Sequence, residues 1–185
     1  MDHGAENYAR FLSGDEDGFV AIVKAYKDGL LLYINSYVHD IYAAEELTED
    51  TFVKLGIKKP KYKGQAAFKT WLYAIARNLA IDYLRKHAKH REQSLEGYRE
   101  IGDERNEAAG LYLQETRKRL LYQAMDQLKP IYQQVLWLLY FEGFSHKEIA
   151  KILKKSVHNV ETIAYRARLS LRAVLEKEAF SDEDI

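Results

Sequence analysis

FKTWLYAIARNLAIDYLRK, Phe68 to Lys86, repeats apolar side chains at helical spacing: Phe68, Leu72, Ile75, Leu79 and Tyr83, with Trp71 and Ala76 widening the stripe. A period near 3.6 predicts an amphipathic helix that buries this stripe against other elements. The opposite face carries Lys69, Tyr73, Arg77, Asn78, Arg85 and Lys86. Cations, an aromatic ring and an amide suit phosphate gripping and base stacking. The same composition also serves a helix whose polar face is merely solvated, so the rest of the chain has to decide.

The chain has 185 residues, enough for one large domain or two small ones, and 47% are hydrophobic, so a packed core is feasible. There is no run of about 18 apolar residues and no charged-then-apolar leader at the N-terminus, which predicts a soluble protein. Without cysteine there is neither a disulfide framework nor a thiolate metal site. That composition fits a cytoplasmic protein.

The formal net charge of zero hides a segregation along the chain. Arg77 to Arg91 carries a net +4, Glu92 to Leu111 a net −4, and Ser145 to Ala173 a net +5. Two basic blocks around an acidic one give local fields that a zero total conceals.

Each strongly periodic segment reads as helix, and no strand alternation appears. Ser13 or Asp15 can cap a first helix through Phe19, Ile22, Val23 and Tyr26, and a second follows through Leu31, Ile34 and Val38. A third covers Ala43 to Leu55 and ends at Gly56. Gly56 to Gly64, with Pro60 and four lysines, reads as a loop, and the long helix follows from about Gln65 to His90. Residues 92–111 lose periodicity and gain three glycines, which predicts an acidic linker between an N-terminal domain, 1–91, and a C-terminal domain, 112–185. Periodicity returns at Arg117, Leu120, Leu121, Ala124 and Leu128; Pro130 then suits the first turn of a helix that stops near Gly143. The expected class is all-α, in two small helical domains.

Ser145-His146-Lys147-Glu148 has the form of a capping box, and Ser156 can cap a final long helix to about Glu178. The short turn between the two helices, with Ala150 small where they would cross, fits a helix-turn-helix as well as an ordinary helical hairpin. In the first case the N-terminal residues of the second helix enter the major groove. His158, Asn159, Glu161 and Thr162 are then the candidate base readers, while Tyr165, Arg166 and Arg168 hold phosphates. Lys155 and Ser156 at the turn belong to the same surface. The helix from Ala43 to Leu55 presents Glu45, Glu46, Glu49 and Asp50 on one side. Such a ridge is either solvated or offered to a basic protein partner.

No catalytic constellation emerges. The six histidines lack metal-ligand spacing, and no glycine-rich phosphate loop exists. The expectation is a protein without enzymatic activity, cofactor or metal.

Taken together, these motifs resemble the sigma-70 superfamily of bacterial transcription initiation factors, in the compact extracytoplasmic-function form that has only the second and fourth regions. AAEELTEDTFVKL (Ala43 to Leu55) looks like the family's polymerase-binding helix. KYKGQAAFKTWLYAIARNLAIDYLRK (Lys61 to Lys86) looks like its promoter-melting and −10 reading element. QLKPIYQQVLWLLYFEGFSHKEIAKILKKSVHNVETIAYRARLSLR (Gln127 to Arg172) looks like its −35 reading domain. The resemblance implies that Glu45, Glu46, Glu49, Asp50 and Phe52 dock on core RNA polymerase. It implies that the loop Lys61 to Ala67, with Tyr62 and Lys63, cradles a base flipped from the melted −10 strand, and that Lys69, Tyr73, Arg77 and Asn78 follow that strand. Capturing unpaired bases would offset an unstacking cost of a few kcal/mol per base, so that melting needs no ATP. The partners implied are core polymerase, promoter DNA (duplex at −35, melted at −10) and an anti-sigma protein of the kind that often sequesters such factors.

The chain departs from the family in the recognition helix. The usual Gly-Thr-Val-Lys-Ser-Arg is His158-Asn159-Val160-Glu161-Thr162-Ile163, and the turn has Lys154 and Lys155 where glycine is common. Glu161 repels phosphate but can accept a hydrogen bond from a cytosine amine. Two rival functions are a free-standing helix-turn-helix regulator, which binds an operator without polymerase, and a helical protein-binding adaptor, which binds no DNA.

Overall fold

The computed structural model describes residues 3–93 and 116–183. Among these, all regular structure is helical: α1 (His3–Leu12), α2 (Glu16–Val38), α3 (Ile41–Lys58), α4 (Phe68–Gln93), α5 (Thr116–Asp126), α6 (Pro130–Leu136), a π-helical turn (Trp137–Phe141), α7 (His146–Leu153) and α8 (Val157–Glu183). The expected all-α class holds. Apart from its first two residues, which extend α4, the segment 92–111 expected as a linker lies outside the described residues.

In the N-terminal half, α2 packs against α1, α3 and α4. Asp15 caps α2 by accepting a hydrogen bond from Asp17 N (3.1 Å), as its sequence position suggested. The two helices expected after this cap are one helix of 23 residues. Gly29 lies inside it rather than at a break, because a Cβ there would stand 2.5 Å from Glu142 Oε1 and 2.6 Å from the Tyr73 hydroxyl. This glycine serves close approach, which sequence alone does not distinguish from a helix stop.

The helix at Phe68 buries Phe68, Leu72, Ala76 and Ala80, an unbroken i, i+4 stripe, in the same cluster as Ile22, Leu30 and Ile34 of α2 and Leu47 and Leu55 of α3, both of which pack on α4. Each large apolar side chain so buried contributes roughly 1.5–3 kcal/mol. Ile75, Leu79 and Tyr83 are only half-buried at the edge of this stripe. The expectation for Tyr73 needs correction: it does not line an open face but is 0% exposed. Its ring packs between Tyr33 (5.2 Å) and Phe144 (5.1 Å). The sequence also left α1 unread. Tyr8 anchors it, packing 5.5 Å from both Phe68 and Trp71 and donating a hydrogen bond to Pro60 O (2.8 Å). That bond ties α1 to the loop preceding α4.

In the C-terminal half, Pro130 opens α6 and Gly143 ends the following turn at φ 69°. The capping box is present: Ser145 Oγ accepts from Glu148 N (3.4 Å), and Glu148 Oε2 accepts from Ser145 N (2.9 Å). Ser156 Oγ likewise accepts from Asn159 N (3.2 Å) at the start of α8. Ile149, Ile152 and Leu153 of α7 are buried with Val160, Ala164, Ala167 and Leu171 of α8. Lys154, in the turn between them, adopts φ 54°, the left-handed conformation that glycine would take more easily.

The two halves touch. The Asn35 side-chain amide donates to the Tyr122 hydroxyl (2.7 Å), α7 lies along α4, and the buried side chains form one continuous cluster.

Candidate functional site

Three surfaces gather the residues singled out in the sequence. The first is the outer side of α3, which Asp40 starts by accepting from Tyr42 N (3.1 Å) and Ala43 N (3.4 Å). Ala44, Leu47, Thr51 and Leu55 face the core, which turns Glu46, Glu49 and Asp50 to solvent and leaves Glu45 half-buried. Phe52 is buried, edge-on to Phe19 with ring centroids 6.5 Å apart. It floors an open groove whose wall includes Thr48, Glu49, Val53 and Ile57. Val53 and Ile57 are exposed, Ile57 by 76%. The sequence reading passed over both. They fall at i, i+4 off the buried stripe, a signal of an apolar patch beside the acids.

The second surface is the loop before α4. Lys61, Tyr62, Lys63, Gln65 and Ala66 form, with Thr70, Trp71, Ala74 and Lys151, a cavity of about 410 Å³. Lys61 and Lys63 are exposed at its mouth. Tyr62 is fixed by its hydroxyl donating to Ala66 O and by packing at a tilt against Trp71 (ring centroids 5.2 Å apart). Aromatic walls and lysines at a cavity of this kind can stack a flipped base and hold its phosphates. Trp71, which sequence periodicity assigned to the core, is half-buried here and offers one edge to the cavity.

The residues farther along α4 are less open. The Lys69 ammonium pairs with Glu142 Oε2 (2.8 Å) and also donates to Glu142 O (2.8 Å). Burial, first, and the neighbouring Glu142 carboxylate push the Tyr73 hydroxyl well above its usual pKa. Arg77 is half-buried beside Tyr37, whose hydroxyl shares a hydrogen bond with that of Tyr33 (2.9 Å). Burial raises the Tyr37 hydroxyl to about 12 although the Arg77 guanidinium pulls the other way. Asn78 is half-buried too. The structure thus brings Lys61, Tyr62 and Lys63 together at one cavity, with Lys69 and Tyr73 turned towards the C-terminal half instead.

The third surface is α8. Val160, Ala164, Ala167 and Leu171 bury one side, which puts His158, Glu161, Thr162 and Tyr165 on the outward side, flanked by Asn159 and Arg166. Lys155 and Ser156 are exposed at its start, and Tyr165 is 58% exposed. The Thr162 hydroxyl donates to His158 O (3.0 Å). Arg168 departs from the rest: it borders an apolar groove lined by Leu121, Tyr140, Leu171 and Leu175.

Among the described residues no group of three or more His, Cys, Asp or Glu converges, and no helix is long and apolar enough to cross a membrane.

Comparison with known proteins accords with this geometry. Residues 22–90 match the family described as Sigma-70 region 2, and residues 118–171 match Sigma-70, region 4. RNA polymerase sigma factor YlaC of Bacillus subtilis is 31% identical, over 87% of this chain and 94% of that protein. ECF RNA polymerase sigma factor SigX, also of Bacillus subtilis, is 27% identical over 92% of this chain and 91% of its own length. The fold is shared with the sigma factor RpoE solved with the anti-sigma factor NepR from Bartonella quintana (TM-score 0.66, 21% identity, covering 87% of this chain and 98% of that one). It is shared also with CnrH solved with the cytosolic domain of CnrY (TM-score 0.68, 24% identity, covering 95% and 99%). With both regions present in order and a relative aligned over nearly its full length, the chain belongs to the sigma-70 family, in its extracytoplasmic-function type, and is a transcription initiation factor that binds RNA polymerase and promoter DNA.

Proposed function

We propose the residue-level division of labour for this sigma factor. The N-terminal domain, 1–91, docks on core polymerase through Glu45, Glu46, Glu49 and Asp50, with the Phe52 groove receiving an apolar side chain of the polymerase. The same domain holds a flipped −10 base in the cavity of Lys61, Tyr62 and Lys63, and Arg77 and Asn78 guide the strand beyond it. The C-terminal domain, 112–185, reads −35 duplex with His158, Asn159, Glu161 and Thr162, while Lys155, Ser156, Tyr165, Arg166 and Arg168 contact phosphates. The factor acts by binding alone, in the cytoplasm, without chemistry of its own. An anti-sigma protein is a further partner, a reading supported by the similar sigma factor RpoE, solved with the anti-sigma factor NepR.

The observation that carries this reading is the aromatic-walled, lysine-edged cavity immediately before α4. Stacking supplies about 1–3 kcal/mol per base, which suffices to favour a base already out of the duplex. The test is reconstituted transcription with cognate core polymerase, beside binding of promoter DNA with and without core. A sigma factor binds weakly alone and tightly with core. Tight operator binding by the lone protein would favour the regulator, and no DNA binding in either case the adaptor. Replacing Tyr62 by Ala is expected to weaken holoenzyme binding to a −10 single strand by about tenfold.

A further inference from the structure

Ser145 to Ala173 carries seven lysines and arginines against two acids, Glu148 and Glu161. Glu148 is committed to the fold: its carboxylate accepts from the Ser145 backbone N (2.9 Å), the Ser145 hydroxyl (2.6 Å) and the Thr70 hydroxyl (3.3 Å). Glu161 is not. It is exposed on α8, one turn after His158 and one turn before Tyr165, and among the described residues it makes no hydrogen bond and no ion pair. The positions that a helix brings within its reach, three and four residues away, are Val157, His158, Ala164 and Tyr165, none of them lysine or arginine. A lone carboxylate thus stands just beyond the Ser156 cap, among the N-terminal residues with which a recognition helix meets base edges. Its neighbour Thr162 has its hydroxyl proton committed to His158 O (3.0 Å), so it too offers duplex only acceptor capacity.

We infer that Glu161 is the specificity-determining residue of the −35 contact: it demands a cytosine at one base pair of the element and rejects the other three bases there. The inference rests on the proposed −35 role of α8. In the free protein the carboxylate is exposed to water. In the major groove it gives up that water and must find a donor, since a desolvated charge left unpaired costs more than one hydrogen bond gains. Only two bases present a donor on that edge, cytosine at N4 and adenine at N6; guanine presents acceptors alone, and thymine an acceptor and a methyl group. The adenine amine lies between two acceptors, its own N7 and the thymine O4, which repel a carboxylate. The cytosine amine has an acceptor on one side only, O6 of its paired guanine, so Glu161 can bond it without facing a second acceptor. The same charge acts before any base is read. It repels the phosphates that Lys155, Arg166 and Arg168 attract, and so weakens binding to duplex of every other sequence. Glu161 therefore lowers general affinity and raises discrimination.

The test uses holoenzyme formed from the full chain and cognate core, with duplex randomised across the −35 element and the −10 element held constant. The wild type is expected to select cytosine about tenfold over the other bases at one position. Glu161→Ala is expected to lose that preference alone, to keep the others, and to bind duplex lacking the element more tightly than the wild type does. Glu161→Gln should move the position to adenine, whose N6 and N7 match an amide, and Glu161→Lys should move it to guanine. Because the side chain is exposed, all three variants are expected to melt as the wild type does. Replacing the selected cytosine by 2-pyrimidinone, which lacks the amine, should weaken wild-type binding about tenfold and leave Glu161→Ala unchanged. Identical base preferences in the wild type and all three variants overturn the inference, as does a wild-type base other than cytosine at the position the variants change. If wild-type holoenzyme shows no base preference anywhere in the element, α8 does not read duplex, and the −35 reading itself fails together with the inference.

Discussion

Lys154 shows how much one backbone angle can reveal. The turn between α7 and α8 needs φ near 54° there, and the chain meets that need with lysine rather than glycine. A left-handed non-glycine residue costs about 1–2 kcal/mol, of which glycine's greater unfolded freedom would return about 0.5–1. Lys154→Gly is therefore expected to stabilise the protein by roughly 0.5 kcal/mol, read as a higher urea midpoint at an unchanged slope; a lower midpoint would mean that the lysine stem itself packs. Glu148 makes the opposite kind of contribution. The Ser145 hydroxyl foremost, then the Ser145 backbone and Thr70, hold its carboxyl below the ordinary value of 4.5. A depressed carboxyl stabilises the fold above its unfolded pKa, and that stability is lost as pH falls through the lower folded value. Acid unfolding monitored by helical circular dichroism is expected to shift to higher pH in Glu148→Gln, with the wild type and variant converging at the most acid end. The capping box was legible in the sequence because its partners are three residues apart. Tyr73 was not, because the ring that buries it comes from Phe144, on the other side of the chain.

At the scale of elements, helices with long regular stripes were readable and those shaped by a neighbour were not. The α4 stripe and the α7–α8 pair followed from spacing and caps, whereas α1 is short and gains its order from Tyr8 and the loop at Pro60. The fused α2 was read as two helices, and Gly29 inside it admits the Glu142 side chain, a role set by a distant residue that the local sequence does not show. The acidic side of α3 was legible at Glu46, Glu49 and Asp50, less so at the half-buried Glu45, and its apolar companions Val53 and Ile57 only in retrospect. Glu46→Lys with Asp50→Lys is expected to leave the fold intact, since both side chains are exposed, and to weaken core polymerase binding by roughly tenfold, more at low salt than at high. Unchanged affinity would remove α3 from the docking surface. On α8, Arg166→Ala should lower −35 affinity and reduce the salt slope by about one counterion. Arg168→Ala should do so less if its stem mainly covers the groove beside Leu171 and Leu175. Equal slopes for the two variants would return Arg168 to the phosphate contacts.

For the whole molecule, the charge pattern and the two periodic blocks announced two helical halves, but nothing local announced that they share a buried cluster. That contact depends on tyrosines whose burial is set by distant residues. Tyr73 lies under Phe144, and Tyr122 receives the Asn35 amide across the two halves. Within the N-terminal half, Tyr33 and Tyr37 pair beside Arg77. Burial, the leading cause in each case, raises Tyr37 and Tyr122 to about 12 and Tyr33 and Tyr73 well above their usual value of 10. A phenol whose folded pKa is raised favours the folded state below its unfolded pKa, and that contribution is lost as pH rises through the folded value. On the alkaline side these hydroxyls therefore leave stability unchanged up to about pH 10 and make it fall steeply between about 10 and 12. The part of the tyrosinate absorbance that comes from the buried rings is expected to rise together with loss of helical circular dichroism, because these hydroxyls ionise only when the chain opens. Tyr73→Phe and Tyr122→Phe should each flatten the alkaline fall, because each removes a hydroxyl whose ionisation burial opposes. Tyrosinate formation to completion with the helices unchanged would mean that these rings are reached by hydroxide without opening, and that the shared cluster is looser than its burial implies.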